Sequence, residues 1–196
     1  MTREEQPGVA AQEGPAAILI GPPGAGKSTV GPLLAGLLGV AFLDTDSIVE
    51  HVAGKPVSDI FVQDGEAAFR VLEREATARA VAGHRGVLAL GGGAVLDPGT
   101  RRVLAGQPVI YLETGYAAAL ERTGLNAARP LLLGNPRARM RALLEERLPV
   151  YEELAWVTVL TDGRPPAHVA EAAAAALSDG LDRAAAGETA PPGTRR

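Results

Sequence analysis

The chain has 196 residues and a formal net charge of −4; 46% of its residues are hydrophobic and 21% are charged. This length suits one domain with its own core, the composition excludes a chain that is disordered throughout, and the absence of cysteine excludes disulfide scaffolds and thiolate zinc sites. The acidic balance argues against nucleic acid as the main partner, and the lack of a long apolar run or an apolar leader predicts a cytoplasmic protein without a membrane partner.

Polar ends rich in Gly, Pro and Ala flank a more apolar core. We predict disordered tails over residues 1–14 and 182–196 and a single domain over residues 15–181. Short apolar runs predict strands at residues 16–20, 40–44, 86–90, 109–113 and 156–161. Segments of helical character lie at residues 27–38, 45–52, 66–82, 99–105, 117–122, 136–148 and 165–181. This alternation predicts an α/β fold, a parallel sheet with helices on both faces.

A glycine-rich motif follows the first predicted strand. Residues 21–28 read Gly-Pro-Pro-Gly-Ala-Gly-Lys-Ser and match the pattern G-x-x-x-x-G-K-[ST]. Glycine lets backbone N–H groups curl around a phosphate, and the start of the next helix adds partial positive charge. Lys27 supplies a cation for the outer phosphates, and the Ser28 hydroxyl supplies a ligand for Mg²⁺. The motif holds one of only two lysines in the chain and predicts a site for a nucleoside triphosphate and Mg²⁺.

This phosphate loop, residues 21–28, does not by itself identify the reaction. A GTPase would carry an Asn-Lys-x-Asp motif, and neither Lys27 nor Lys55 follows an asparagine. A motor ATPase would need a longer chain. A kinase that acts on a small molecule or a nucleotide fits the length.

Two carboxylates follow the second predicted strand, in Leu43-Asp44-Thr45-Asp46. They would project on one side if the strand continues, at the carboxyl end of a parallel strand, where ligands bind in such sheets. One could orient Mg²⁺ through water, and the other could hold an acceptor hydroxyl and take its proton. The alternative is that one of them caps the following helix.

Two further segments suit a ligand site. Gly91, Gly92 and Gly93 end the third predicted strand and would let a ligand lie against bare backbone, with a flexible turn as the alternative. Residues 124–135 contain two Gly, one Pro and no strand pattern, which predicts a mobile segment. Arg70 by itself is typical of a surface arginine.

Taken together, these motifs resemble those of the shikimate kinases, a P-loop family of the nucleoside monophosphate kinase group. The resemblance spans nearly all of residues 15–181. It rests on residues 21–29, on Leu43-Asp44-Thr45-Asp46, on Gly65-Glu66 and Phe69-Arg70, on Leu90-Gly91-Gly92-Gly93-Ala94, on Arg129-Pro130-Leu131-Leu132, and on Arg147 before Tyr151. It implies a three-layer P-loop kinase fold with a five-stranded parallel sheet in the order 2-3-1-4-5 and a mobile lid at residues 124–135.

The resemblance also implies an activity, the transfer of the γ-phosphate of ATP to the 3-hydroxyl of shikimate with Mg²⁺. This reaction belongs to chorismate and aromatic amino acid biosynthesis. The resemblance further implies that the enzyme is a monomer. The implied catalytic residues are Lys27, Asp46 and, in the lid, Arg129. The implied nucleotide-binding residues are Gly24, Ala25, Gly26, Lys27, Ser28, Thr29, Arg122, Arg129, Arg164 and Pro166. The implied shikimate-binding residues are Asp46, Arg70, Gly91, Gly92, Gly93 and Arg147, and the metal is held by Ser28 directly and by Asp44 through water.

Two alternatives stay open at this point. Another small-molecule kinase of the same fold, such as a gluconate kinase, would also use Arg70 and Arg147 for a carboxylate, so Asp46 together with the three glycines distinguishes the two. A non-catalytic module that binds a nucleotide or a partner would be expected to have lost Lys27, Asp46 or Arg129, and all three are present.

Overall fold

The computed structural model of the chain describes residues 14–123, 136–185 and 194–195. In these ranges the strands are β1 (Ala17–Ile20), β2 (Phe42–Asp44), β3 (Val87–Ala89), β4 (Val109–Glu113), β5 (Val157–Leu160) and β6 (Thr194–Arg195). The helices are α1 (Lys27–Leu38), α2 (Thr45–Ala53), α3 (Val57–Gln63), α4 (Gly65–Gly83), α5 (Pro98–Leu104), α6 (Tyr116–Arg122), α7 (Pro136–Leu154) and α8 (Pro166–Ala185), with a 3-10 turn at Ala94–Leu96.

The strands form one parallel sheet in the order β2-β3-β1-β4-β5-β6. β1 lies at the centre, where Leu19 is in register with Ala89 of β3 and Ile110 of β4. All four residues of β1 are buried, because helices cover both faces of the sheet, and this is why the run is apolar without alternation. The predicted α/β fold with the strand order 2-3-1-4-5 is confirmed, and β6 adds a two-residue strand beside β5 that we did not predict.

Alternate residues of the central strand enter two different hydrophobic layers. Leu19 belongs to a cluster that includes residues of α1 and α8, whereas Ile18 belongs to a cluster that includes residues of α4, α5 and α7. This is the period-two alternation of a strand, here with an apolar residue on each side. The carboxyl ends of β1, β2, β3 and β4 therefore share one edge, at which the phosphate loop, Asp44 and Gly91 begin the connections.

Helices α2, α3 and α4 form a corner of the molecule with a small core of its own. Val49, Ile60, Phe69 and Ala76 fill this core. We did not predict α3, whose seven residues give too short a periodic pattern to separate from a loop. The N–H of Val57, the first residue of α3, donates to the side chain of Glu50 at 3.0 Å. The buried side chain of Ile60 packs α3 against the rest of the corner. The corner fixes the start of α4, which carries Arg70.

Two predicted boundaries are wrong, and a strand lies within a predicted tail. We expected one helix to end at residue 148, yet α7 continues past Pro149 to Leu154. The buried ring of Tyr151 packs against Tyr111 there, and such tertiary contacts offset the hydrogen bond that proline removes. The C-terminal tail does not begin at residue 182, because α8 extends to Ala185. β6 lies within that predicted tail, at the otherwise open edge of β5.

Two other predicted segments lie outside the described residues. These are the N-terminal tail up to residue 13 and the lid at residues 124–135, which includes Arg129. In the part of the chain that the structure describes, none of the helices combines the length and apolar character needed to cross a bilayer.

Candidate active site

The phosphate loop joins β1 to α1 through glycines in left-handed conformations. Gly24 has φ 81°, and Gly26, the residue that caps α1, has φ 90°. These angles favour glycine, since a Cβ strains the backbone there. A Cβ at Gly24 would also lie 2.8 Å from the carbonyl oxygen of Ala119, so the loop packs closely on α6. The loop thus has the curled backbone that a phosphate site requires.

Lys27 is the first residue of α1 and bends back over the loop. Its Nζ donates to the carbonyl oxygens of Gly21 at 2.6 Å and Pro22 at 3.1 Å. Burial lowers the pKa of Lys27 to about 8, against the opposing charges of Asp46 and Asp44. The ammonium is therefore placed between the phosphate loop and the carboxylates that follow β2.

Ser28 and Asp44 form the pair that the sequence assigned to a metal. Ser28 Oγ donates to Asp44 Oδ2 at 2.8 Å, and Asp44 Oδ1 accepts from the backbone N–H of Asp46 at 3.0 Å. Asp44 therefore caps α2, the alternative considered for it, and contacts the predicted metal ligand with its other oxygen.

The donor set fits Mg²⁺, which takes oxygen ligands and usually completes its shell with water and phosphate. A hydroxyl and a carboxylate lie together at the mouth of the phosphate loop. Within the described ranges there is no group of three or more His, Asp or Glu side chains that could hold a metal without such help. The residues present thus suit a metal that arrives with the nucleotide.

The chain turns sharply between the two carboxylates. β2 ends at Asp44 and α2 begins at Thr45, so the strand does not continue, and the condition under which both carboxylates would project on one side is not met. Thr45 is buried between them, and its Oγ1 accepts from the N–H of Gly91 at 3.1 Å. The start of the helix, rather than the pleat of a strand, brings Asp46 to the end of β3.

A cleft of about 440 Å³ connects these groups. It runs from the phosphate loop and Thr29 to Asp46 and Gly92, and Ala25 lies buried behind it. Its lining residues are Pro23, Gly24, Gly26, Lys27, Ser28, Thr29, Asp44, Asp46, Leu90, Gly92 and Arg122. A nucleotide on the loop and an acceptor at Asp46 would therefore share one space.

Arg122 braces the nucleotide side of the cleft. Its Nη1 donates to the carbonyl oxygen of Gly24 at 3.2 Å and to Thr161 Oγ1 at 2.9 Å, and its Nη2 donates to the carbonyl oxygen of Thr161 at 2.9 Å. It thus joins the phosphate loop to the end of β5. Arg164 and Pro166 are exposed and follow Thr161 on the way into α8. Contacts of Arg122, Arg164 and Pro166 with adenine stay a prediction.

Asp46 is the half-buried carboxylate on the acceptor side. Burial raises its pKa to about 6, the nearby charges of Asp44 and Glu73 add to the rise, and Lys27 opposes it. Its Oδ1 is buried and has no hydrogen-bond partner within the described chain. Such a group is ready to accept a proton or a hydroxyl hydrogen near neutral pH.

Gly91, Gly92 and Gly93, which we call the glycine turn, lie against the charged side chains of the site. A Cβ at Gly91 would be 2.5 Å from Glu73 Oε1 and 2.8 Å from Asp46 Oδ1, and a Cβ at Gly93 would be 2.9 Å from Arg70 Nη2. Gly91 and Gly93 therefore leave no room for a Cβ, and contact of the turn with a ligand stays a prediction.

Arg70 is held by two glutamates of its own helix. Its Nη1 donates to Glu73 Oε2 at 2.6 Å and its Nη2 to Glu66 Oε1 at 2.9 Å. Glu73 is 3% exposed, and burial raises its pKa while Arg70 opposes the rise. Our sequence reasoning missed Glu73 as a site residue. Its position three residues after Arg70, on the same helix face, was the available signal.

Arg147 and Tyr151 come to the glycine turn from α7. The charge of Arg147 lowers the pKa of Lys27 and opposes the rise at Glu73, so it lies near both. Its Nε is buried without a hydrogen-bond partner. Tyr151, one helical turn later, donates its hydroxyl to the carbonyl oxygen of Gly92. The structure thus brings Asp46 and Arg70 to the glycine turn and Arg147 close to Lys27, Glu73 and Tyr151, and the binding of shikimate by these residues stays a prediction.

Comparison with known proteins decides the family. The family model for shikimate kinase matches residues 23–178. A shikimate kinase of Thermobifida fusca is 62% identical over 157 residues, which cover 80% of this chain and 91% of that protein. The chain belongs to the shikimate kinase family. A shikimate kinase of Saccharopolyspora erythraea is 58% identical over 153 residues, 78% of this chain and 87% of the relative.

A solved structure of the family supports the same conclusion. It is the shikimate kinase from Acinetobacter baumannii in complex with shikimate, with a TM-score of 0.75, 37% identity and coverage of 83% of this chain and 91% of that one. The prediction of a shikimate kinase made from the motifs is confirmed. As a member of this family, the chain is an enzyme, a kinase whose substrates are ATP, used with Mg²⁺, and shikimate.

Proposed function

We propose that this site transfers the γ-phosphoryl group of ATP to the 3-hydroxyl of shikimate, through the residues described above. One observation carries the assignment of the acceptor subsite. Four buried side-chain polar atoms of the described residues have no hydrogen-bond partner, and two of them, Asp46 Oδ1 and Arg147 Nε, belong to the site. Unpaired buried polar groups are costly, so a ligand that pairs both is favoured. A compound with a hydroxyl for Asp46 and a carboxylate for Arg147 does this.

The phosphate side provides positive charge and fixed backbone donors. The loop glycines and the start of α1 direct N–H groups at phosphate, and Lys27 adds a cation beside them. Bound Mg²⁺ would be held by Ser28, and by Asp44 through water, and would neutralise phosphate charge. Phosphoryl transfer depends mainly on such positioning and electrostatic stabilisation.

Asp46 holds the acceptor hydroxyl and takes its proton. Its pKa, raised to about 6, leaves the carboxylate largely ionised at pH 7.5. The same pKa lies close enough to the working pH for the carboxylate to be an efficient base. Lys27, with a pKa of about 8, keeps most of its charge at the same pH. The two groups therefore have the protonation states that the reaction needs.

The two arginines hold the carboxylate of the acceptor. Arg147 offers an unpaired donor, and Arg70 is held near Gly93 by Glu66 and Glu73. A planar guanidinium matches a carboxylate with two parallel hydrogen bonds. A lid role for Arg129, which lies outside the described residues, stays part of the prediction.

A substrate panel tests the proposal. ADP release with ATP and Mg²⁺ is measured against shikimate, quinate, gluconate and nucleoside monophosphates. We expect turnover with shikimate at a kcat/KM at least about tenfold above the others, since the acceptor groups discriminate by hydrogen bonding. Turnover with gluconate and none with shikimate would overturn the proposal in favour of the gluconate kinase alternative. No turnover with any acceptor would favour a binding module.

The assembly and the location belong to the same proposal. We infer a cytoplasmic monomer that has no nucleic acid or membrane partner, which the resemblance and the net charge of −4 support. Light scattering after gel filtration checks the mass, and a dimer at working concentration would contradict the monomer.

A further inference from the structure

Tyr151 reaches the glycine turn from the far side of the site. Its hydroxyl donates to the carbonyl oxygen of Gly92 at 2.5 Å, a short hydrogen bond, and its side chain is buried, with 1% of the residue exposed. Its ring is stacked on Tyr111 of β4, with 5.1 Å between centroids and 18° between planes. The ring is thus fixed by packing, and the hydroxyl contacts both the glycine turn and the side chain of Arg147, with which it shares a hydrogen bond.

The glycine turn has little room to move, and what it touches is the acceptor site. Gly91 lies against Asp46 and Glu73, and Gly93 lies against the guanidinium of Arg70, at distances that admit no Cβ. The peptide that Tyr151 holds, between Gly92 and Gly93, connects these two contacts. A shift of this peptide would move the turn relative to both Asp46 and Arg70.

We propose that Tyr151 is a positioning residue for the acceptor: its hydroxyl holds the glycine turn, and the turn sets the spacing between Asp46 and the arginines. The proposal rests on the proposed function, since the acceptor groups are those named above. Burial raises the pKa of Tyr151 to about 12, so the hydroxyl stays protonated and remains a donor throughout the working pH range.

The position of Tyr151 on α7 adds a second connection. Arg147 lies four residues earlier, on the same helix face, so the hydrogen bond to Gly92 also fixes the turn of α7 that carries Arg147. Pro149 lies between them and removes a backbone hydrogen bond of this helix. A side-chain contact that anchors this stretch therefore matters more here than in an uninterrupted helix.

Tyr151→Phe tests the proposal, because it removes the hydroxyl and keeps the ring. ADP release is measured with shikimate varied at saturating ATP, and with ATP varied at saturating shikimate. We expect the KM for shikimate to rise about fivefold or more, because that is the typical effect of losing one hydrogen bond. The KM for ATP should change by less than about twofold. Shikimate titration in a calorimeter without nucleotide should show the same weakening.

Tyr111→Phe is the matched control, since it removes the hydroxyl of the stacking partner and leaves the contact with Gly92. Equal effects of the two variants on the KM for shikimate, or wild-type KM values in Tyr151→Phe with only a lower melting temperature, would overturn the proposal. Absence of shikimate-dependent turnover in the wild-type protein would instead overturn the proposed function.

Gly92→Ala keeps the test open if Tyr151→Phe does not fold. A Cβ at Gly92 would lie 3.1 Å from Pro23 Cδ, so in this variant the same peptide and Pro23 have to move apart by a few tenths of an ångström while the Tyr151 ring stays in place. We expect a rise of at least about fivefold in the KM for shikimate, comparable to the loss of a hydrogen bond. An unchanged KM would show that the position of the turn does not control the acceptor and would overturn the proposal.

Discussion

The phosphate side and the acceptor side of the cleft are built in different ways. The phosphate side is one continuous segment, residues 21–29, and its main donors are backbone N–H groups held by glycine and by the start of α1. The acceptor side takes one or a few residues from each of four places: Asp46 from α2, Arg70 from α4, the glycine turn after β3, and Arg147 from α7.

The difference lies in what each side needs to keep its charges in place. Backbone donors are fixed by the fold and carry no ionisable group. The acceptor side instead gathers Asp46, Glu73, Arg70 and Arg147, whose pKa values and positions depend on one another. We therefore expect variants of the phosphate side to lose transition-state stabilisation, variants of the acceptor arginines to lose affinity, and variants of Asp46 to lose turnover and to change pH dependence.

The largest effect is expected for Lys27→Met, which removes the one cation of the phosphate loop. The rate should fall about 10³-fold, because loss of a preorganised charge at the transferring group costs that order of magnitude. Single-turnover ADP formation measures it. Lys55→Met, the same substitution at a surface lysine, is the control. A loss of less than tenfold in Lys27→Met would show that the backbone donors suffice.

The next effect concerns Asp46→Asn, which keeps the shape and removes the charge. We expect kcat to fall about 10²-fold, within the usual range for loss of a general base, while the KM for ATP stays near the wild-type value. Steady-state kinetics with both substrates varied measures this. Wild-type turnover would remove Asp46 from the proton transfer.

A pH profile of the wild-type enzyme sharpens the same comparison. Protonation of Asp46 below its pKa of about 6 should lower activity on the acid side, and loss of the proton of Lys27 above its pKa of about 8 should lower it on the alkaline side. The expected kcat/KM profile is a bell between these values. The residual activity of Asp46→Asn should lack the acid limb, and an acid limb unchanged in that variant would assign it to another group.

Smaller effects are expected for the arginines. Arg147→Ala and Arg70→Ala should each weaken shikimate binding by about 1.5–3 kcal/mol, the value of a hydrogen bond to a charged group. Arg70→Ala should also lower the free energy of unfolding, since buried Glu73 loses its partner. Arg74→Ala is the control on the same helix, because Arg74 is exposed and contacts Asp97 at 3.5 Å. Calorimetric titration with shikimate distinguishes the three.

The smallest effect is expected for Lys55→Met. Lys55 Nζ contacts Asp64 at 2.6 Å and Gln63 at 3.1 Å, away from the cleft. Its loss should lower the free energy of unfolding by less than about 1 kcal/mol, as for other exposed ion pairs, with kcat/KM within twofold of the wild type. Urea denaturation and the ADP assay measure the two quantities. A large loss of activity in Lys55→Met would mean that the corner formed by α2, α3 and α4 does not tolerate the loss of even this surface contact.

Much of the fold could be predicted because its signals are local. The five apolar runs identified the five main strands, and the phosphate loop needed only a contiguous motif between a strand and a helix. The errors arose where distant contacts decide. Helix α7 passes Pro149 because Tyr151 is anchored on Tyr111 and Gly92, and β6 forms at a sheet edge far along the chain.

The amino-acid sequence by itself determined the nucleotide side of this protein, the parallel sheet and, through the spacing of its motifs, the family. Only the tertiary structure decided how Asp46, Arg70, the glycine turn and Arg147 face one another, and that Glu73 and Tyr151 hold them. The physical reason is that a phosphate loop binds with the backbone of one segment, whereas the acceptor subsite depends on burial and on charges brought together from separate helices.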